Sequence, residues 1–300
     1  MRDAALTLDG AIRSIMTQDF PHQLTEVIFV DDGSKDETLS IIQRYMGKMD
    51  MYVRVFSTEW QGLGRARNTV VNESNSDFII WIDGDMLLPR DHVRKQIEFM
   101  KQNPNVGIAK ARYGTLPDES LLAFLENVGY VVNDWLYGHR PTQRNLGTGG
   151  SIYRVESIRK AGGFDDRISG VGEDSDAEFR VRKAGWLLYL ASPAFFYERR
   201  RRSIVAIWGE GFWYGYGQHY IYRKSHGILS LFRLAPLASF FVGAWYATAA
   251  YRLTYRKSVF LLPFTYSFKR LAWMFGFVAG QIGCSHVLPL SKEPVDILRV

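Results

Sequence analysis

The sequence predicts an α/β fold in which a mixed, mainly parallel sheet is flanked by helices. Through the first 110 residues, short apolar segments rich in β-branched residues alternate with segments whose apolar residues recur at helical spacing. This alternation is typical of βαβ units around a parallel sheet. The predicted strands cover residues 26–30, 52–56, 78–82 and 106–110, and the predicted helices cover residues 8–18, 34–46, 62–72 and 91–102.

Carboxylates end two of these predicted strands. Asp31 and Asp32 follow the first strand, and Asp83 and Asp85 follow the third. Because open α/β sheets bind ligands beyond the carboxyl ends of their strands, we expect these side chains at one edge of the sheet. An Asp-x-Asp pair there suits a hard divalent cation, since Mg²⁺ is typically bound by one or two carboxylates together with substrate phosphates. The alternative is that the aspartates only begin turns.

Residues 111–198 contain fewer segments with a clear helix or strand pattern. Residues 111–150 are less regular, whereas Val155–Lys160 and a segment near residues 173–185 have the character of helices. We expect residues 1–198 to form one α/β domain that ends where the composition changes.

Charge divides the chain into two parts. The 300 residues have a net charge of +6, but residues 1–198 carry 23 Lys and Arg against 28 Asp and Glu, and residues 199–300 carry 14 against 3. The acidic part is therefore suited to metal chemistry. The basic part is rich in aromatic residues and is expected to meet something anionic, with a membrane surface as the first candidate. The single cysteine, Cys284, excludes a disulfide within the chain.

Apolar segments dominate residues 229–300, which we expect to form membrane-associated helices. Leu234–Tyr251 carries no charge and lies between two arginines, so it approaches the roughly 17–25 residues that a membrane span needs. The segments Ser258–Phe268 and Leu271–Leu290 predict a second span or interfacial helices. The alternative is that all of them are buried helices of a soluble domain.

A basic and aromatic segment, residues 199–228, lies between these two parts. The run Arg199–Arg202 predicts contact with lipid headgroups or with a phosphate on a substrate, since arginine matches phosphate geometry. The alternative is a solvated charge run. Aromatic residues from Trp208 to Tyr216 follow at helical spacing and indicate either an interfacial helix that also forms one wall of a substrate site or a helix packed into a core.

Five short motifs, in this order and spacing, resemble a family 2 glycosyltransferase with the GT-A fold. The resemblance runs through residues 8–220 and implies that residues 1–198 bind a nucleotide sugar and carry the catalytic site. The motifs are Asp31-Asp32-Gly33-Ser34, Gly64–Asn68, Asp83-Gly84-Asp85, Gly162–Asp165 and Gly172–Arg180.

The resemblance implies a set of donor-binding residues. Asp32 would accept a hydrogen bond from the nucleotide base, with Asp31 beside it. Arg67 and Asn68 would lie on a helix that faces the nucleotide, and Asp83 would approach the ribose. The alternative for Arg67 is a solvated helix face.

The resemblance also implies a metal and a general base. Asp85, with Asp83, would coordinate Mg²⁺ or Mn²⁺ at the diphosphate, and Asp174 would be the base, with Glu173 next to it. The alternative for Glu173 and Asp174 is that they are acids favoured at a helix N-terminus by the helix dipole.

The expected activity is therefore inverting transfer of a sugar from a nucleotide-diphosphate sugar to an acceptor hydroxyl. The acceptor would be a glycan, a lipid-linked glycan or a polyprenyl phosphate, the partners would include membrane lipids but no nucleic acid, and the catalytic domain would face the cytoplasm at the cell membrane. Two other functions remain open. One is a nucleotidyltransferase, and the other is a truncated, non-catalytic relative that binds sugar nucleotides or serves as a scaffold.

The sequence departs from the family pattern at two places. The family usually begins with an apolar strand ending near Pro-x-Tyr-Asn, and Met1 falls just after that position, so we expect this strand to be missing. Many relatives carry a histidine just before the basic run, where this chain has Glu198. A carboxylate there could serve a hard cation or pair with the arginines that follow it.

Overall fold

The computed structural model describes residues 1–117, 119–168, 171–200, 202–224 and 236–283. The described residues form two compact units. Unit 1 contains residues 1–114, 137–168 and 173–198, and unit 2 contains the described parts of residues 115–136, 171–172 and 199–283. The boundary predicted at residue 198 coincides with a boundary between units, but residues 115–136 belong to unit 2.

A two-stranded parallel sheet forms at the start of unit 1. Strands β1 and β2 pair from Glu26 opposite Tyr52 to Asp32 opposite Thr58. Helix α2 begins later than predicted, at Thr38, and Asp36 lies before it, where its Oδ1 accepts the N–H of Thr38 at 3.0 Å. The elements of this region are α1 (Ala5–Met16), β1 (Glu26–Asp32), α2 (Thr38–Met46), β2 (Tyr52–Thr58) and α3 (Leu63–Glu73), with a 3₁₀ turn at His22–Leu24.

The larger sheet of unit 1 has the strand order β3-β7-β5-β8-β4, with β6 also paired to β8. Among the strand pairs that the described residues form in this sheet, only β5 and β8 run parallel, so the prediction of a mainly parallel sheet is wrong for it. Its elements are β3 (Phe78–Ile80), β4 (Met86–Leu87), α4 (His92–Gln102), β5 (Val106–Tyr113), β6 (Arg140–Pro141), β7 (Ser151–Arg154), α6 (Val155–Lys160), α7 (Glu173–Lys183) and β8 (Leu187–Glu198).

Strand β8 was not predicted because its sequence breaks the strand pattern. Pro193 lies inside it, Ala191 has φ of +60°, and its register against β5 shifts around these positions. A proline inside a strand is normally confined to an edge or a bulge. The strand nevertheless lies inside the sheet, since β5 pairs on one side and β4 and β6 on the other.

The core of unit 1 lies on both faces of its sheets. One cluster of buried side chains joins α1, α2, β1 and the end of β8, and it includes Leu8, Ile12, Phe29, Ile42 and Phe196. A second cluster lies under α6 and α7 and contains Ile108, Tyr153, Ile158, Val181 and Leu188. Burying each such side chain stabilises the fold by about 1.5–3 kcal/mol, so the two clusters fix the strands that carry the predicted site.

Unit 2 is helical. The 17-residue helix α5 falls in residues 111–150, which were predicted to be less regular, and it is recognisable by its buried apolar face, including Phe124, Val128 and Val132. Helices α8 and α10 approach closely at glycines, because a methyl group on Gly276 would collide with the carbonyl oxygen of Phe212. The helices are α5 (Leu121–Tyr137), α8 (Ile204–Lys224), α9 (Pro236–Thr254) and α10 (Leu262–Gln281), with a 3₁₀ turn at Lys257–Leu261.

No helix in the described part of the chain is long and apolar enough to cross a membrane. The span predicted at Leu234–Tyr251 is therefore not found in α9, which begins at Pro236. Residues 234–235 lie outside the described residues, as do residues 284–290 of the third apolar segment, with Cys284 among them.

Candidate active site

Asp32 holds the loop that leads into α3. Its Oδ1 accepts the N–H of Gln61 at 2.7 Å, and its Oδ2 accepts the N–H of Gly62 at 3.0 Å. Only 3% of Asp32 is exposed. Gly62 has φ of +95°, a conformation that favours glycine. Both carboxylate oxygens of Asp32 therefore bind the backbone, and its contact with a nucleotide base stays a prediction.

Asp31 is equally buried and is bound by two hydroxyl groups. Ser34 Oγ donates to Asp31 Oδ1, and Ser57 Oγ donates to Asp31 Oδ2 at 3.3 Å. The end of β1 is thus tied to the turn that follows it and to the neighbouring strand β2. This position beside Asp32 agrees with the sequence, although no nucleotide contact of Asp31 is tested.

Arg67 and Asn68 lie on α3 as predicted, and both bind other parts of unit 1. Asn68 holds the backbone of Phe164 from two sides: its Nδ2 donates to the carbonyl oxygen, and its Oδ1 accepts the N–H, each at 2.8 Å. Arg67 Nη1 donates to Glu173 Oε1 on α7. The structure thus gives both residues a role in joining α3 to other elements, and their contact with a nucleotide stays a prediction.

Asp83 and Asp85 lie in the turn between β3 and β4. Asp83 is exposed and Asp85 is half-buried. Among the residues that the structure describes, no group of three or more His, Cys, Asp or Glu side chains is arranged to hold a metal ion. The donor set of two carboxylates nevertheless fits Mg²⁺ or Mn²⁺, because such ions commonly take one or two carboxylates and complete their shell with phosphate oxygens and water.

Glu173 and Asp174 begin α7, where the helix dipole also favours acidic residues. Glu173 is almost fully buried, with 1% of its side chain exposed, and it pairs with Arg67. Asp174 is half-buried, and its Oδ1 accepts the N–H of Ser175 at 2.6 Å. Asp174 is therefore the more accessible of the two carboxylates, and its role as the base stays a prediction.

A glycine-rich loop lies between the predicted donor and acceptor carboxylates, and the sequence reasoning missed it. This segment, Leu146–Gly150, is called the glycine loop below. A methyl group on Gly149 would lie 2.7 Å from Asp83 Oδ2, and one on Gly147 would lie 3.7 Å from Asp174 Oδ2. Three glycines within four residues were the available signal, since such runs mark turns or close approaches of the backbone.

Two buried charged residues, to which the sequence reasoning assigned no role, contact this loop. Glu178 on α7 accepts the N–H groups of Leu146 and Gly147 at 2.8 and 2.7 Å. Lys110 on β5 donates to the carbonyl oxygen of Gly149. Burial, helped by the negative charge of Asp174, raises the pKa of Glu178 to about 8. The signal for Lys110 was a charge inside an otherwise apolar predicted strand.

The basic and aromatic segment differs in part from what was expected. Arg200 is buried in unit 2, where its Nε donates to Asn127 Oδ1 at 3.0 Å and its guanidinium lies 4.5 Å from the Tyr130 ring centroid. Full solvation therefore does not describe this residue, whereas contact of the run with a phosphate stays a prediction, and Arg201 lies outside the described residues. Trp208 packs against two rings of α10, Phe268 at 5.2 Å and Phe275 at 5.9 Å, so the packed-core alternative holds for it.

Glu198, at the position where the resemblance implies a histidine in many relatives, ends β8. It lies opposite Met86 in the register between β8 and β4. That strand follows directly after Asp85, which brings Glu198 into the neighbourhood of the acidic turn. Whether it serves a cation stays a prediction.

Comparison with protein families gives one match that covers most of unit 1. The sequence model described as Glycosyl transferase family 2 matches residues 2–158, slightly more than half of the chain. The match includes three of the five motifs and ends before the other two, Gly162–Asp165 and Gly172–Arg180. The aspartates at the ends of β1 and β3 and the glycine loop fall inside it.

Curated relatives match parts of the chain. The poly(ribitol-phosphate) β-N-acetylglucosaminyltransferase TarS of Staphylococcus aureus is 29% identical over 92 residues, 31% of this chain and 16% of that protein. An uncharacterized glycosyltransferase of Haemophilus influenzae is 35% identical over 102 residues, 34% of this chain and 40% of that protein. The succinoglycan biosynthesis protein ExoA of Rhizobium meliloti is 24% identical over 227 residues, 71% of this chain and 65% of that protein. The chain thus spans less than two thirds of each relative.

Solved structures share the fold. The mannosyltransferase PcManGT of Pyrobaculum calidifontis, in complex with GDP-Man and Mn²⁺, has a TM-score of 0.66 at 17% identity and covers 98% of this chain and 86% of that one. Residues 1–349 of S. aureus TarS have a TM-score of 0.54 at 14% identity and cover 94% and 90%. At such identities the likeness shows the fold alone, which is the GT-A-like α/β fold.

Proposed function

Because the chain belongs to glycosyl transferase family 2, we propose that it moves a sugar from a nucleotide-diphosphate sugar to an acceptor hydroxyl. The arrangement of the glycine loop carries this proposal. Asp83 lies beside Gly149 near one end of the loop, and Asp174 lies beside Gly147 near the other. Sugar transfer in one displacement needs a donor side, where the leaving group departs, and an acceptor side, where a proton is removed. The arrangement supports assigning Asp83 to the donor side and Asp174 to the acceptor side.

The proposed chemistry is a single displacement at the anomeric carbon. The acceptor oxygen bonds to that carbon while the bond from the carbon to the diphosphate oxygen breaks, and the diphosphate leaves with the electron pair. Asp174 accepts the proton of the acceptor hydroxyl. No side chain of the enzyme bonds to the sugar in this scheme, so the anomeric configuration inverts through a transition state that resembles an oxocarbenium ion.

Asp85 and Asp83 are the proposed ligands of Mg²⁺ or Mn²⁺. When bound, the cation supplies positive charge to the departing diphosphate. The solved mannosyltransferase is in complex with GDP-Man and Mn²⁺, which supports a nucleotide sugar and a divalent cation for this chain. Asp31, Asp32, Arg67 and Asn68 are proposed to position the nucleotide, either directly or through the backbone that they hold.

The proposed acceptor is a glycan, a lipid-linked glycan or a polyprenyl phosphate. By their names, one relative acts on poly(ribitol-phosphate) and another takes part in succinoglycan biosynthesis. Both are extended polymers with many hydroxyl groups, which supports an acceptor of this kind here.

We further propose that unit 2 associates with a membrane surface, with the catalytic site on the cytoplasmic side where nucleotide sugars are made. Three aromatic side chains of α9 and α10 support this: Phe241, Trp245 and Phe264 are 71%, 62% and 63% exposed. Aromatic residues are enriched at membrane interfaces. The excess of 14 Lys and Arg over 3 Asp and Glu in residues 199–300 favours anionic lipids.

The test is a survey of nucleotide sugars with the purified chain. Donor binding is measured by calorimetry with Mg²⁺, with Mn²⁺ and with a chelator, and nucleoside diphosphate release is measured with glycan and polyprenyl phosphate acceptors. We expect one donor to bind with metal and to be consumed with an acceptor, and NMR of the product to show an inverted anomeric centre. Binding without turnover on every acceptor would favour the non-catalytic alternative, release of pyrophosphate would favour a nucleotidyltransferase, and the absence of any binding would contradict the proposal.

A further inference from the structure

The glycine loop is held at its two ends by side chains of opposite charge. At the start of the loop, both carboxylate oxygens of Glu178 accept backbone N–H groups, Oε2 from Leu146 at 2.8 Å and Oε1 from Gly147 at 2.7 Å. Near its end, the Lys110 ammonium donates to the carbonyl oxygen of Gly149. The two side chains come from different elements, α7 and β5, so the loop is fixed from two directions.

Burial makes both charges costly to keep. Glu178 is fully buried, and Lys110 is 2% exposed. Charged groups removed from water destabilise a fold unless they are paired and hydrogen-bonded, and well-packed apolar side chains often replace them without loss. The Lys110 ammonium also lies 5.2 and 5.3 Å from the ring centroids of Tyr113 and Phe196, a cation–π contact that compensates part of the cost.

The part of the loop between these two attachments faces the proposed reaction. Gly147 and Gly149 are half-buried, whereas Leu146, Thr148 and Gly150 are buried, so the loop presents backbone without side chains. A methyl group on Gly147 would lie 3.7 Å from Asp174 Oδ2 and 3.9 Å from Lys110 Nζ, which places the proposed base and the lysine on the same side of the loop. A shift of the loop would therefore change the spacing between the acceptor side and Asp83.

We propose that Lys110 and Glu178 are positioning residues for sugar transfer, which hold the glycine loop between Asp174 and Asp83 and so align the acceptor side with the donor side. This inference rests on the proposed function. Neither residue needs to contact a substrate. Lys110 lies outside the five motifs by which the chain resembles its family, and Glu178 lies in the motif Gly172–Arg180 without a role assigned to it there. Because misplacement by about 1 Å can cost roughly a hundredfold in rate, loosening either attachment affects transfer more than donor binding.

The protonation of Glu178 gives the proposal a readout that depends on pH. A carboxylate accepts hydrogen bonds at both oxygens, whereas a protonated carboxyl group turns one oxygen into a donor. The pKa of Glu178 is raised to about 8, and the charged or titratable groups around it are Asp174 on its own helix, Lys110 on β5, Tyr153 on β7 and Arg182. We therefore expect the double attachment to form as the pH rises through about 8.

The experiment compares Lys110→Met and Glu178→Gln with a matched pair of control variants. Methionine keeps the length of the lysine stem without its charge, and glutamine keeps the shape of glutamate but offers one acceptor oxygen instead of two. The controls are Lys160→Met and Glu156→Gln, because that ion pair on α6 is exposed, with 61% and 56% of its side chains accessible. Donor binding is measured by calorimetry, transfer by product formation at saturating donor, and folding by thermal unfolding.

We expect Lys110→Met and Glu178→Gln to lower kcat by about tenfold to a hundredfold while the Kd for the donor changes less than about twofold, and the controls to change neither. The wild-type kcat should rise with pH through about 8, and Glu178→Gln should lose this rise. The double variant should lose less than the product of the two single losses, since both side chains act on one loop.

Several outcomes would overturn the inference. Unchanged kcat in a folded Lys110→Met or Glu178→Gln protein would do so, as would equal losses of donor affinity and kcat, which indicate a general structural role. If Glu178→Gln does not fold, Lys110→Met and the pH profile of the wild type decide. If the wild type binds no nucleotide sugar, the proposed function is contradicted instead. If the wild type transfers sugar and the two variants transfer it at the same rate, this inference alone is contradicted.

Discussion

Arg67 and Glu173 form an ion pair that joins the helix α3 to the first turn of α7. Arg67 Nη1 donates to Glu173 Oε1, although 106 residues separate the two positions, and the side chains are 13% and 1% exposed. Arg67 also lies 5.8 Å from the ring centroid of Phe164, whose backbone is held by Asn68. The residues predicted to bind the donor and those predicted to serve the acceptor are therefore mechanically connected within unit 1.

Replacing Arg67 by methionine should destabilise the protein. Loss of this partner leaves the buried Glu173 carboxylate uncompensated, and breaking a buried ion pair from one side typically costs about 3–5 kcal/mol. Chemical unfolding should show a fall of about 3 kcal/mol, and the Arg67→Met/Glu173→Gln double variant should recover part of it. Arg65→Met is the control, since Arg65 lies on the same helix with 56% of its side chain exposed. Equal effects of the two single variants would contradict the assigned role of the pair.

Asp85→Ala should remove most of the metal-dependent donor binding. The proposed cation would lose a carboxylate ligand, and the diphosphate would lose its counter-charge. Donor affinity is measured by calorimetry with and without Mn²⁺. The increase in affinity that Mn²⁺ gives the wild type should be lost in Asp85→Ala. Asp50→Ala is the control, because 74% of that side chain is exposed and it pairs with His22 on the surface. Full metal-dependent affinity in Asp85→Ala would remove Asp85 from the proposed metal site.

Asp174→Asn should abolish transfer and leave the Kd for the donor nearly unchanged. Asparagine keeps the shape of the side chain and can still accept the N–H of Ser175, but it cannot take up the acceptor proton. A loss of about a hundredfold or more in kcat is expected for removing a general base. A variant that loses donor affinity and keeps its turnover would show that Asp174 serves the donor instead.

The fold was predictable where each element carries its own signal. The strands β1 and β2, the helices α3, α4 and α6 and the carboxylates at strand ends follow from apolar patterning, which burial in unit 1 enforces. Strand β8 and helix α5 were missed because tertiary context decides them: Pro193 is tolerated at an irregular register, and α5 packs with the other helices of unit 2. The roles of Lys110 and Glu178 were not predicted for a similar reason. The role of a charged residue in a strand or helix can be inferred only when the position of the loop that it contacts is known.

Stability should fall in acid because of His92. Its ring is buried, Nδ1 donates to the carbonyl oxygen of Phe195 at 2.5 Å, and Nε2 accepts from Gln96 at 3.1 Å, so the ring is neutral. Burial lowers the pKa of His92 from 6.5 to about 4. Between pH 4 and pH 6.5, His92 therefore carries a proton in the unfolded chain but not in the folded chain. The free energy of unfolding should decrease by about 3 kcal/mol from pH 6.5 to pH 4.

The measurement for His92 is chemical unfolding at a series of pH values, with His92→Gln as the comparison. Other groups titrate in the same range, so the difference between the two proteins isolates the contribution of the histidine. The variant should show a shallower decline below pH 6.5 and a parallel course above it. Parallel courses through the whole range would show that His92 does not couple to folding.

Aromatic side chains on α9 and α10 should determine binding to lipid vesicles. Phe241, Trp245 and Phe264 are each more than half exposed, and burying such rings in an interface gains roughly 1.5–3 kcal/mol apiece. The triple substitution to serine should therefore weaken co-sedimentation with anionic vesicles by at least tenfold, while the net charge of the chain stays the same. Tyr52→Ser in unit 1 is the control, because its ring is 67% exposed but lies far along the chain from the basic region.

High salt should also weaken binding of the wild type to the vesicles, since residues 199–300 carry 14 Lys and Arg against 3 Asp and Glu. If the wild type fails to bind vesicles, or if the triple variant binds as well as the control, unit 2 does not use this surface to associate with membranes.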